Sequence, residues 1–149
     1  MSTTRTEKIL LGWTAVADNL TRKQRSFCMS RVKGKDTGIE RRVRSALHRQ
    51  GLRFRKHVTT LTGKPDVVFP GRRVVVFLDG DFWHGYRFPA WEHTLSPFWR
   101  KKIGETRLRD QRNFRRLERH GWHVIRIWQH QIEHDFDACL DRIHAALAE

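Results

Sequence analysis

Residues 63–85 read GKPDVVFPGRRVVVFLDGDFWHG. Two β-branched runs, DVVF and RVVVFL, stand on either side of Pro70, Gly71 and Arg72, and this pattern predicts a hairpin with a buried strand on each side of its turn. Asp66 opens the first run, while Asp79 and Asp81 close the second, so the three carboxylates are expected to converge at one edge of the hairpin. A single Asp at a strand end is explained by the backbone amides of a turn. Three around one hairpin in a basic chain point instead to a divalent cation. Mg²⁺ prefers near-octahedral oxygen coordination and keeps waters that can be activated to attack phosphorus. His84 follows directly and adds a group able to take a proton near neutral pH.

The flanking sequence supplies the helices of an α/β core. LTRKQ offers Thr21 and Gln24 as a capping box for a short basic helix to about Arg31. A second capping box, Thr37 and Glu40, starts a helix whose Ile39, Val43 and Leu47 share one face and which Gly51 ends. Spacing alone assigns Glu40 to this cap. Beyond a loop from Asp79 to Pro97, residues 100–119 form a long helix ended by Gly121, with Ile103, Phe114 and Leu117 facing inward. WHVIRIW alternates as a strand, and Phe136, Leu140, Ile143 and Leu147 mark a last helix capped by Asp135. The sum is a central mixed β-sheet flanked by helices, in one domain over residues 21–149 behind a loosely ordered leader of residues 1–20.

Charge names the partner. The chain holds 30 Lys and Arg against 16 Asp and Glu, a formal net charge of +14, and this excess points to a polyanion such as nucleic acid. Residues 100–119 alone carry nine basic side chains against three acidic ones, too unbalanced for i,i+4 pairing to explain. Cys28 and Cys139 are the two cysteines and form no CxxC pair, which excludes a disulfide framework and a cysteine-rich zinc site. With no apolar run near the roughly 18 residues of a membrane span and no signal-peptide pattern, a soluble cytoplasmic monomer is expected, with no membrane partner.

The segments RSFCMSRVKGKDTGIERRVRSALHRQGLRFR, GKPDVVF, VVVFLDGDFWHG, FWRKKIGETRLRD and LERHGWHVIRIW occur in the order and spacing of the very short patch repair endonuclease family, which the chain resembles from Thr21 to Ile132. The resemblance implies a restriction-endonuclease-like fold. It also implies Mg²⁺-dependent nicking of one strand of double-stranded DNA beside a T:G mismatch left by deamination of 5-methylcytosine. It gives Asp66 the metal, with the Leu78 carbonyl as second protein ligand, makes His84 the base for the attacking water, and makes Glu40 the acid that orients that water. Asp79 takes a supporting role. Phe82, Trp83 and Trp99 match the family's aromatic wedge, and Lys102, Arg112, Arg115 and Arg116 are the expected DNA contacts on the basic helix. Mismatch-repair proteins or a companion cytosine-5 methyltransferase are the implied further partners.

The departures from the family pattern are chemical. Many relatives hold a structural zinc through Cys and His near GCFWHGC and a later Cys; the matching positions here are Asp81, Tyr86 and His130. Asp81, His93 and His130 are able to bind zinc, but without the cysteines no structural zinc is expected. Thr106 stands where relatives often carry Asn. Two alternatives remain open at this level: a restriction-like or defence nuclease of the same fold with another DNA specificity, and a non-cleaving DNA-binding module that keeps the wedge and the basic face.

Overall fold

The computed structural model describes residues 21–23 and 37–149. The leader and most of the basic helix expected after Thr21 lie outside the described residues. In chain order the elements are α1 (Gly38–Arg49), β1 (Val67–Phe69), β2 (Val74–Asp79), α2 (Phe88–Trp91), α3 (Pro97–Arg119), β3 (His123–Trp128), α4 (Gln129–His134) and α5 (Phe136–Ala148). β1 and β2 pair antiparallel across a one-turn 3₁₀ segment, Pro70–Arg72, and β2 pairs in parallel with β3, giving a mixed sheet of order β1-β2-β3. A parallel pair needs a long crossover, and α3 supplies it. Among the described residues no helix is long and apolar enough to cross a membrane.

The central strand β2 is buried along its whole length, as expected of a strand covered on both faces. Val74, Val76 and Leu78 pack with Val43 and Leu47 of α1 and Leu140 and Ile143 of α5. Val75 and Phe77 point the other way, toward Leu117 and Phe114 of α3, and the Phe77 and Phe114 rings lie 4.7 Å apart. Each such side chain contributes roughly 1.5–3 kcal/mol on leaving water.

Local signals position the ends of the helices. The Thr37 hydroxyl accepts from the Glu40 N–H at 3.4 Å, which starts α1 at the expected place. α1 and α3 both end in the 6→1 and 5→2 pattern of a Schellman motif, with Leu52 N–H on the Leu47 carbonyl and Trp122 N–H on the Leu117 carbonyl. Asp135 caps α5 through the Ala138 N–H. A third apolar cluster sits apart from the sheet: Phe82, Phe88, Leu95, Trp99 and Ile103, with Trp83 and Trp91 against it. Gly85 pins this loop to α3. Its φ is +71°, and an added Cβ would fall 2.6 Å from the Arg107 side chain and 2.9 Å from that of Ile103, so only glycine lets the loop approach so closely.

Candidate active site

The strand ends, the first turn of α1, the loop after β2 and one face of α3 enclose an open cleft of about 1010 Å³. Glu40, Asp66, Asp79, His84, Lys102 and Asp110 line it. Asp66 and Asp79 arrive there from the open end of the hairpin, as the sequence predicts. Asp81 does not join them. Two residues past the end of β2 the chain has turned, and Asp81 is buried against His130, its Oδ1 2.8 Å from His130 Nδ1.

Asp66 is partly buried, and its Oδ2 accepts the Leu78 N–H at 2.7 Å. Burial pushes its carboxyl up to about 7, against the lowering effect of that hydrogen bond and with the help of the Glu40 and Asp79 carboxylates nearby. Glu40 is itself buried, and its Oε2 accepts from Arg44 at 3.2 Å. Both readings of Glu40 are therefore compatible in space: its backbone belongs to the helix cap and its carboxylate to the cleft. Leu78 also lines the cleft, beside the carboxylate it supports.

A second set of charges closes into a ring of four. His84 Nδ1 lies 2.7 Å from Asp110 Oδ2 and His84 Nε2 lies 3.4 Å from Asp79 Oδ1. Arg126 donates from Nε to Asp79 Oδ2 at 2.8 Å and from an Nη to Asp110 Oδ2 at 2.9 Å. Burial disfavours the charged imidazole, but the hydrogen bond to Asp110 and the two carboxylates outweigh it and hold the His84 pKa above its ordinary value. Burial likewise raises the Asp79 carboxyl, with His84 and Arg126 opposing it. Asp79, His84 and Asp110 bring three ligand atoms within 4.8 Å of one another, a group of the size that holds a metal ion.

Asp110 and Arg126 are the two members of the ring that sequence reasoning misses. A signal for Asp110 existed. It stands seven residues after Ile103 and seven before Leu117, both buried on α3, so helical spacing places it on the inward stripe, where a carboxylate needs a partner. Arg126 has a weaker signal, as the charged member of the alternation Val124, Arg126, Trp128 on one side of β3.

The remaining predicted residues divide. Phe82 and Trp99 are buried in the aromatic cluster, their rings 5.6 Å apart, while Trp83 is partly exposed and lines the cleft. Among the described residues the Trp99 indole N–H has no hydrogen-bond partner. Phe98, next to it, is 44% exposed. Lys102 faces the cleft with Thr106, whose hydroxyl donates to the Lys102 carbonyl at 3.0 Å. Arg112 and Arg115 instead line a separate shallow groove with Glu118 and Arg119, and Arg116 is exposed near the end of the helix. The three positions that depart from the family's zinc pattern do meet, since the Tyr86 and His130 rings lie 4.3 Å apart and the Tyr86 N–H donates to the Asp81 carbonyl. His93 is exposed on the 3₁₀ turn Glu92–Thr94, and with Asp81 and His130 it makes no three-ligand group among the described residues.

The Asp66 carboxyl is raised to about 7 chiefly by burial, with the Glu40 and Asp79 carboxylates adding to the rise. The Asp79–His84–Asp110 group already has the Arg126 guanidinium on both carboxylates.

A mixed sheet between helices that delivers carboxylates from its strand ends into a cleft is the architecture of a restriction-endonuclease-like core. Comparison with known proteins agrees. The family described as DNA mismatch endonuclease Vsr matches residues 17–89. The type II nicking enzyme V.XorIIP of Xanthomonas oryzae pv. oryzae is 42% identical over 116 residues, 76% of this chain and 85% of that one. The DNA mismatch endonuclease Vsr of Escherichia coli strain K12 is 39% identical over 119 residues, 76% and 74% of the two chains. The type II nicking enzyme V.NmeDIP of Neisseria meningitidis serogroup C is 35% identical over 138 residues, covering 89% and 91%. The chain belongs to the Vsr family, and it is a DNA endonuclease, a hydrolase of the phosphodiester bond.

Proposed function

We propose that the chain nicks one strand of duplex DNA at T:G mismatches, with Mg²⁺ held by Asp66 and the Leu78 carbonyl. The observation that carries this reading is the junction at residues 82–84. Trp83 and His84 are consecutive, both line the cleft that holds Asp66, and a probe of base stacking is thereby tied to the hydrolytic groups. A mispaired step is cheaper to open than a matched one, and aromatic faces replace the stacking that is lost. When bound, Mg²⁺ supplies Lewis-acid stabilisation of the phosphate and a more acidic water. Glu40 would orient the attacking water from the first turn of α1, and His84 would take a proton at Nε2, the ring nitrogen with the longer carboxylate contact, 3.4 Å to Asp79. Asp110 and Asp79 fix the imidazole between them. Lys102 meets the backbone of the DNA in the cleft, while Arg112, Arg115 and Arg116 extend the positive surface along α3. A monomer acting as a single catalytic unit, without structural zinc, suffices for this chemistry, and the Asp81–His130 hydrogen bond ties the loop after β2 to α4.

The test compares nicking of labelled T:G and C:G duplexes by the wild-type chain and by Trp83→Ala. Removal of a stacking ring costs roughly 1–3 kcal/mol of binding, and the loss should fall mainly on the mismatched duplex, so the mismatch-to-matched ratio drops while the melting temperature holds. A variant that melts far lower and loses both activities in proportion assigns the ring to core packing. Relatives named as type II nicking enzymes favour a second reading, nicking in another DNA context, which equal rates on T:G and C:G duplexes would support.

The basic face carries its own prediction. Each phosphate contact contributes about 0.9 to the slope of log affinity against log salt on duplex DNA. Binding should weaken steeply with salt, and neutralising Arg112, Arg115 or Arg116 should each flatten the slope measured by fluorescence anisotropy. An unchanged slope would mean that these charges are merely solvated.

A further inference from the structure

We infer that Arg126 is a built-in cation that closes the Asp79–His84–Asp110 group to divalent metal, and so confines metal binding to Asp66. The inference rests on the proposed nuclease reading only for the role of the Asp66 site; the closure itself stands on the ring geometry.

By ligand chemistry alone the group looks open to metal. Two carboxylates and an imidazole converge within 4.8 Å, at the end of a central strand and beside a cleft. Yet every one of the three is already engaged within the ring. Arg126 takes one oxygen of Asp79 and one of Asp110, and the same Asp110 oxygen also faces His84 Nδ1. The Asp79 oxygen that remains lies toward His84 Nε2 at 3.4 Å. A divalent ion entering here would displace the guanidinium or sit against it, and two cations sharing two partly desolvated carboxylates repel strongly at such short range.

Arg126 is also held where it cannot step aside easily. Its guanidinium carbon lies 4.1 Å from the centroid of the Trp128 ring and 4.9 Å from that of Phe114, so aromatic faces favour the cation in this position. A planar fork suits the task better than an ammonium, since it reaches two carboxylates at once. The backbone contributes as well: β3 runs parallel to β2 with Arg126 opposite Phe77 and Trp128 opposite Asp79, which sets the Arg126 side chain under the end of β2. The ring thus alternates two anionic and two cationic or protonatable groups.

The experiment counts Mn²⁺ bound to the full chain without DNA, by electron paramagnetic resonance and isothermal titration, so that no cleavage is needed. The wild-type chain should bind one Mn²⁺, lost in Asp66→Asn and retained within about threefold in affinity in Asp110→Asn, since Asp110 belongs to the group but is not among the charges that act on Asp66. Arg126→Met should gain one further Mn²⁺ per chain, and adding Asp79→Asn to that variant should remove it. Arg126→Lys, which keeps the charge, should gain none. A tenfold or greater loss of Mn²⁺ affinity in Asp110→Asn overturns the proposal, because the group would then be a ligand set in the native chain; this comparison decides the matter even if Arg126→Met fails to fold. A folded Arg126→Met that gains no ion overturns it too, whatever the wild-type chain binds. An ion that survives Asp66→Asn defeats the Asp66 metal site while leaving the Arg126 result to be read separately.

Discussion

Asp66→Asn should abolish nicking, by on the order of a thousandfold or more, while making the metal-free protein more stable at pH 8. The first effect follows from removing the carboxylate proposed to hold Mg²⁺, since metal stabilisation of a phosphoryl transition state is worth several kcal/mol. The second follows from linkage. The folded protein holds the Asp66 carboxyl at about 7, above the ordinary 3.8, so the native state binds the proton more tightly than the unfolded chain. Its stabilising contribution is complete below about pH 3.8 and is lost as pH rises through 7. At pH 8 the wild-type chain therefore bears a partly buried carboxylate that Asn does not. Every tenfold difference in proton affinity between the folded and unfolded chain corresponds to about 1.4 kcal/mol, and with screening at the open cleft the gain should be roughly 2–4 kcal/mol. Differential scanning calorimetry in chelator should show the variant melting several degrees above the wild-type chain at pH 8 and by a clearly smaller margin at pH 5. DNA affinity should stay equal or rise, because a negative charge facing phosphate has gone. Near-normal nicking, or an equal difference in melting at both pH values, contradicts the assignment.

Asp110→Asn should lower nicking by about a hundredfold, within the range that a positioned acid or base contributes, and should move the pH profile in a direction that a purely structural defect would not. In the wild-type chain the His84 pKa lies above its ordinary 6.5, despite burial, because of the hydrogen bond to Asp110 and the charges of Asp79 and Asp110. A base must be deprotonated to act, so nicking at saturating Mg²⁺ should rise with pH through a midpoint above 6.5. Removing the Asp110 charge leaves the desolvation of the ring less opposed, and the midpoint should fall to lower pH even as the plateau drops. A variant with the plateau lowered and the midpoint unmoved would show that Asp110 supports packing and does not tune His84.

What the sequence disclosed depended on how far each contact reached. The hairpin, α1, α3, β3 and α5 rest on periodicity and caps that act within a few residues, and Thr37, Gly51, Gly121 and Asp135 mark their ends in the expected places. α2 and α4 escaped because four and six residues are too few to show a helical period. In the site, Asp66, Asp79 and His84 were legible as polar residues packed around one hairpin. The ring that joins two of them was not, since the Asp110 and Arg126 bonds span 16 to 47 positions and the parallel pairing of β2 with β3, together with the packing of α3 on the sheet, brings them together. Asp81 was misplaced for a related reason: alternation follows a side chain along a strand, and this one lies past its end, where the turn aims it at His130. The family resemblance reached the aromatic residues that spacing could not interpret, and the structure then separates Trp83, which lines the cleft, from Phe82 and Trp99, which are buried beside it.

The most direct measurement is anomalous scattering from Mn²⁺ in crystals of the wild-type chain bound to an uncleaved T:G duplex. A single peak is expected between the Asp66 carboxylate and the Leu78 carbonyl, facing a phosphate of one strand, with none among Asp79, His84 and Asp110 and with the Trp83 ring against the opened base step. A peak among Asp79, His84 and Asp110 with none at Asp66 would contradict the account at its centre.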